Sequence, residues 1–190
     1  MNLHSTADTV VWVWRHPAPQ GVAGRCIGRT DVPVDPRRAK RLARRIQAVA
    51  RREGLARVVH TSPLRRCADV GRWLKRWGWT HVVDAALLEL DFGAWDGQPW
   101  PAIGQAEVDA WCAAFATHAP GGGEPLVHML QRSAGWQPSA CAEAARPTVV
   151  VGHAGWMLAR QWAQTHAAND WPTAADWPRP PAYGRCWRLW

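Results

Sequence analysis

The sequence predicts an α/β fold in one domain over residues 1–190, with a mostly parallel sheet flanked by helices. Three observations predict it. Short apolar runs rich in β-branched residues alternate with stretches of helical periodicity. Clusters of Gly and Pro punctuate the two kinds of segment. The composition, 47% hydrophobic and 20% charged, is that of a globular chain long enough to bury a self-sufficient core.

Val10-Val11-Trp12-Val13-Trp14 reads as the first strand, apolar enough to lie inside the sheet. A loop over residues 15–34 follows, carrying Pro17, Pro19, Gly21, Gly24, Gly28 and Pro33. Pro36 opens a basic helix over residues 36–52, whose Ala39, Leu42, Ile46 and Val49 recur at helical spacing. Residues 57–59 form a short second strand. Ser62 as cap and Pro63 at the first helical position start a helix that runs to about Trp77, with Leu64, Cys67, Val70, Trp73 and Leu74 on one face. A brief strand occupies residues 81–83.

Residues 87–98 are polar and turn-like. Ile103, Val108, Trp111 and Phe115 place a helix within residues 100–118, which Pro120-Gly121-Gly122-Gly123 ends. A further helix covers residues 124–135. Thr148-Val149-Val150-Val151 is the clearest buried strand, and Gly152-His153-Ala154-Gly155 turns it into a helix reaching His166. A tail rich in Pro and Trp ends in an edge strand within residues 183–190. From about 98 to 146 the alternation gives way to helices alone, which predicts an insertion over the sheet's edge that could act as a lid.

Several function classes recede on composition. No apolar run approaches the length of a membrane span, and no basic stretch leading into an apolar one opens the chain. Five scattered cysteines, Cys26, Cys67, Cys112, Cys141 and Cys186, form no C-x-x-C pair and read as small apolar fillers, which fits a reducing cytoplasm. No H-x-x-x-H, H-E-x-x-H or Asp-rich loop suggests a metal, and no cofactor motif is present. The fifteen tryptophans read as packing residues. The net charge of +8 favours anionic partners. Much of it lies on the helix over residues 36–52, where a solvated basic face accounts for it without nucleic acid. Small phosphates and nucleic acid are the anionic partners such a balance suits, and the solvated face weighs toward a small phosphorylated metabolite.

Ligands in such folds bind beyond the carboxyl ends of the strands. Three segments leave strands there: Arg15-His16, Thr61-Ser62-Pro63-Leu64-Arg65-Arg66 and Gly152-His153. If their strands are parallel neighbours, two histidines and at least two arginines share one pocket. Guanidinium groups present forked donors that match phosphate oxygens. An imidazole can attack phosphorus, and water can then hydrolyse the phosphohistidine. Pro17 holds His16 extended at the strand end. His4, His60, His81, His118, His128 and His166 lack such placement and read as surface or core residues.

Four ordered motifs resemble the histidine phosphatase superfamily, also called phosphoglycerate-mutase-like. Arg15-His16-Pro17 is similar to its R-H-G opening. Thr61-Ser62-Pro63-Leu64-Arg65-Arg66 is similar to T-S-x-L-x-R, and Leu87-Leu88-Glu89-Leu90-Asp91-Phe92-Gly93-Ala94-Trp95-Asp96-Gly97 to L-x-E-x-x-F-G-x-W-[ED]-G. Val150-Val151-Gly152-His153-Ala154-Gly155 looks like the strand and turn that carry its second histidine. The resemblance implies a three-layer sandwich. It implies His16 as nucleophile, Glu89 as proton donor, and Arg15, Arg66 and His153 as phosphate-binding groups. Within the superfamily, Gly24-Arg25-Cys26-Ile27-Gly28-Arg29-Thr30-Asp31-Val32-Pro33 and Pro120-Gly121-Gly122-Gly123-Glu124 look like loops of α-ribazole phosphatases, enzymes of late cobalamin synthesis. That likeness implies that Arg29, Thr30 and Glu124 shape the substrate side of the pocket.

Two departures stand out. Pro17 replaces the family's glycine and lacks its N–H. Arg66-Cys67-Ala68-Asp69-Val70 lacks the threonine of R-A-x-x-T. The leading expectation is a metal-independent phosphomonoesterase. A phosphoglycerate mutase and a catalytically inactive binding protein of the same fold are the alternatives.

Overall fold

The computed structural model describes residues 10–139 and 146–190, so His4 and Cys141 lie outside the described residues. Four strands run parallel: β1 (Val11–Arg15), β2 (Val58–Thr61), β3 (Thr80–Val83) and β4 (Thr148–Gly152). The last strand, β5 (Cys186–Leu189), pairs antiparallel with β1. The order across the sheet is β3-β2-β4-β1-β5, so the late strand β4 separates the two earliest strands.

Both faces of the sheet are covered, which is why β1 and β4 read as continuous apolar runs. Trp14, Val59, Val149 and Val151 pack on one side against α1 (Pro36–Glu53) and α2 (Arg65–Arg76), through Leu42, Ile46, Val70 and Leu74. Val11, Val13 and Val150 face the other way, onto Trp156 and Met157 of α5 (Ala154–Thr165) and onto Leu87 and Trp136. Successive residues of one strand thus serve opposite layers, as the two-residue period of a pleated strand requires. The result is the three-layer α/β arrangement expected.

Pro36 opens α1 as expected, and two further local signals bound the helix. Asp35 accepts the Arg37 backbone N–H at 2.8 Å, Pro36 sits in the first turn, and Gly54 ends the helix in the left-handed region. The start of α2 differs from expectation. Ser62 and Pro63 precede the helix, whose cap is Leu64, and the Ser62 hydroxyl accepts the Leu64 N–H at 3.3 Å. The chain must first turn away from the β2 end, and Ser62 satisfies that turn.

Between β3 and β4 lie short 3-10 turns, α3 (Gln105–Ala113) and α4 (Leu126–Ala134). α3 is shorter than the helix expected over residues 100–118. Pro99 and Pro101 confine the start of that stretch to a 3-10 turn over Trp100–Ala102. α4 packs on α5, joining Leu126, Met129 and Leu130 to Ala159 and Trp162. Among the described residues no helix is long and apolar enough to cross a membrane.

Candidate active site

The strand order brings the three sequence segments together. Arg15 is paired with Gly152, and Thr61 with Val151. The His16 N–H then donates to the Gly152 carbonyl at 3.0 Å. His16 and His153 therefore leave adjacent strand ends, with ring centroids 5.1 Å apart. α2 carries Arg66 to the same place from β2.

His16 is buried, and its Nδ1 lies 2.8 Å from the Pro17 carbonyl. A carbonyl only accepts, so Nδ1 carries the proton and Nε2 keeps its lone pair. Pro17 thus orients the ring through its carbonyl, a group it shares with the glycine it replaces. Burial first, and the Arg66 charge second, push the imidazole down to about 3. His16 is a neutral base with a fixed tautomer.

Arg66 is 1% exposed. It donates to the carbonyls of Thr30, at 2.7 Å, and Gly28, and its Nε faces His153 Nδ1 at 3.3 Å. The proton of His153 therefore sits on Nε2, 3.5 Å from Cys67 Sγ. His153 is fully buried behind His16 and is not among the residues that line the cavity. Its basicity is lowered well below normal, by burial and then by the Arg66 charge. Cys67 occupies a place the sequence reading assigned only to packing.

Glu89 lies at the amino end of α5. Its side chain accepts the Gly155 N–H at 3.2 Å and the Leu90 N–H at 3.1 Å, which holds it at the mouth of that helix. A Cβ at Gly155 would run into Glu89 Oε1, so a larger residue there would push the Glu89 side chain aside.

The residues expected on the substrate side hold other duties. Arg29 pairs with Asp91 at 3.3 Å and with Glu124 at 3.0 Å. Glu124 also receives Arg132 Nε at 2.8 Å, and Arg132 donates to the carbonyls of Ala86, Leu88 and Glu89. Burial would raise the Glu124 pKa, but hydrogen bonding to Arg132 and the charges of Arg132 and Arg29 outweigh it and hold the carboxyl below its ordinary range. Thr30 bonds the Asp96 carboxylate at 2.7 Å. Arg29, Thr30 and Glu124 are absent from the cavity wall. Arg29 and Arg132 donate to the Glu89 carbonyl, and Glu124 holds both guanidinium groups. Arg132 lies in no motif, and no sequence signal marked it.

The cavity has a volume of about 610 Å³. Arg15, His16, Arg66 and Glu89 form its polar end, and Trp100, Trp111, Phe115, Met129, Leu158 and Trp177 belong to its apolar wall. The tail, to which no role was assigned, supplies Trp177 and Tyr183. Tyr183 lies 5.5 Å from the His16 ring.

Buried neutral histidines make stability depend on pH. His16, His60 and His153 are each at most 5% exposed, and burial is the leading cause of the lowered pKa in all three. In the unfolded chain each binds a proton near pH 6.5. The unfolded state then holds more protons than the folded one below that pH, and stability falls as pH drops. Each histidine contributes up to about 1.4 kcal/mol per pH unit below 6.5, until its folded pKa is reached. Urea midpoints are expected to fall steeply between pH 7 and pH 5. A flat profile across that interval would contradict the burial of these rings.

A family model described as the histidine phosphatase superfamily (branch 1) matches residues 11–176. The chain is also similar to mycobacterial glucosyl-3-phosphoglycerate phosphatase. Against its complex with VO3 the TM-score is 0.68 at 25% identity, over 95% of this chain and 90% of that one. Against its complex with inorganic phosphate the TM-score is 0.61 at 26% identity, over 82% and 78%. A protein from Thermus thermophilus matches with a TM-score of 0.62 at 24% identity, over 90% and 89%, which extends the likeness of fold alone. No curated protein matches the sequence significantly.

Proposed function

Since the chain belongs to the histidine phosphatase superfamily and is a phosphatase, we propose that it hydrolyses α-ribazole 5′-phosphate through a metal-independent, phosphohistidine mechanism on His16. The observation that carries the mechanism is the His16–Pro17 contact, which leaves the Nε2 lone pair free for attack. A bond forms from Nε2 to phosphorus while the ester P–O bond breaks. Glu89, in its acid form, gives its proton to the departing oxygen. Arg15 and Arg66, which line the cavity, hold the equatorial oxygens; His153, expected as a third phosphate-binding group, lies buried behind His16 with both ring nitrogens engaged and acts on the phosphate only through Arg66. Glu89 then takes a proton from water, whose oxygen attacks the phosphohistidine. Inorganic phosphate leaves and neutral His16 returns.

The substrate assignment rests on the likeness of the loops at residues 24–33 and 120–124 to those of α-ribazole phosphatases. Arg29, Thr30 and Glu124 act in it by shaping the loop and the Glu89 segment that border the substrate. The aromatic wall suits a leaving group that carries a flat, apolar base. Trp111, Cys112 and Phe115 also line the cavity and belong to the expected insertion, so they are its lid-side contacts with the substrate. A second reading takes glucosyl-3-phosphoglycerate, the substrate named for the mycobacterial phosphatase.

Released phosphate measured on α-ribazole 5′-phosphate, glucosyl-3-phosphoglycerate and 3-phosphoglycerate separates these readings. The first is expected to exceed the others in kcat/KM by about tenfold or more. A preference for glucosyl-3-phosphoglycerate selects the second reading, and formation of 2-phosphoglycerate without phosphate release identifies a mutase. Gly155→Ala is expected to lower kcat by about one to two orders of magnitude, because its Cβ displaces the Glu89 carboxylate. Unchanged kcat on a poor leaving group would remove Glu89 from the proton transfer.

A further inference from the structure

The chain's last segment returns to the phosphate end of the site. Gly184 turns in the left-handed region, at φ +71°, and its N–H donates to the Arg15 carbonyl at 3.0 Å. The Arg15 N–H donates to the Arg185 carbonyl at 2.9 Å. This edge pairing sets Tyr183 over the end of β1. The Arg15 guanidinium carbon lies 3.8 Å from the Tyr183 ring centroid, and Arg15 Nη1 donates to the Pro181 carbonyl at 2.6 Å.

We propose that Tyr183 is a positioning residue for phosphoryl transfer, whose ring is the platform that holds Arg15 in its phosphate-binding orientation. The proposal rests on the phosphatase reading of this site. Among the described residues Arg15 forms no ion pair, and its buried Nε has no hydrogen-bond partner. A carboxylate platform would fix the side chain but would consume its forked donors and neutralise its charge. An aromatic face attracts the cation through the ring quadrupole and leaves the N–H groups in the guanidinium plane unspent. Those donors and that charge are what a phosphoryl group needs. The same ring borders His16, so one side chain flanks both the nucleophile and the cation beside it. The segment leading into β5 therefore completes the site while the strand completes the sheet.

The test compares Tyr183→Leu, Tyr183→Phe and Arg15→Ala, alone and combined, in the full chain. An aryl phosphate serves as substrate, with inorganic phosphate as inhibitor and as calorimetric ligand. Tyr183→Leu is expected to lower kcat/KM about tenfold and to weaken inorganic phosphate by a similar factor. Tyr183→Phe keeps the ring and is expected to restore most of both. In the Arg15→Ala background, Tyr183→Leu is expected to add nothing further, a coupling that a purely structural role would not produce. Unchanged phosphate affinity in Tyr183→Leu, additive losses with Arg15→Ala, or a Phe variant as impaired as the Leu variant would each overturn the proposal. Absence of turnover in the wild type would instead sink the phosphatase reading, and the calorimetric phosphate affinities would still report on the Arg15–Tyr183 coupling.

Discussion

His16→Ala is expected to abolish turnover of a simple aryl phosphate, with a loss of about three orders of magnitude or more in kcat. It should also remove an acid-labile phosphoryl label from the chain. The size follows from what the side chain does. It forms the bond that divides one displacement at phosphorus into two easier steps, and no neighbour can substitute. His153 is the nearest other imidazole, but Arg66 holds its Nδ1 and its Nε2 carries the proton beside Cys67. It has no lone pair free to attack. A phosphoenzyme trapped by rapid quench from ³²P-labelled substrate, present in the wild type and absent in His16→Ala, is the decisive measurement. Turnover at the wild-type rate in the mutant would remove the covalent mechanism.

Arg66→Ala carries the second large effect, and it strikes stability and activity together. The guanidinium holds the loop carbonyls of Gly28 and Thr30 and the Nδ1 of His153 in an interior where only 1% of the residue is exposed. Truncation leaves three acceptors without a donor and a void around them. Loss of about 3 kcal/mol or more is expected, which lowers Tm by about 10 °C in a chain of this length. The loop over residues 28–30 also borders Asp96 and the Arg29–Glu124 pair, so the segment presenting Glu89 loosens with it. Activity should fall to the level of His16→Ala. Arg66→Lys is not expected to rescue either property, because a point charge cannot reach two carbonyls and an imidazole at once. Calorimetry without ligand, beside steady-state rates, checks both halves. A fully stable Arg66→Ala protein would show that the buried network does not hold the loop.

How far the site was legible varies residue by residue. Pro17 biases its predecessor toward extended backbone, so the placement of His16 at a strand end followed from two adjacent residues. The structure adds that the Pro17 carbonyl selects the ring tautomer. Arg29 and Glu124 carried a motif likeness but no geometry. Their partners, Asp91 and Arg132, are brought to them by tertiary packing, and the resulting network lies behind Glu89 rather than on the cavity wall. The start of α2 lies a few residues beyond Ser62 and Pro63, which fit a helix start and a preceding turn equally well.

The sequence by itself determined the local features: which runs become strands, where α1 starts, and that histidine and arginine follow strand ends. Each depends on side chains within a few positions of one another, where backbone sterics and periodicity act directly. Only the tertiary structure decided that β4 enters between β1 and β2, bringing His153 and Arg66 to His16, and that residues 181–184 return to lie against Arg15. The physical reason is that strand order and the docking of a tail are chosen by burial between segments far apart in the chain. Local periodicity says that a strand is buried, but not beside which neighbour.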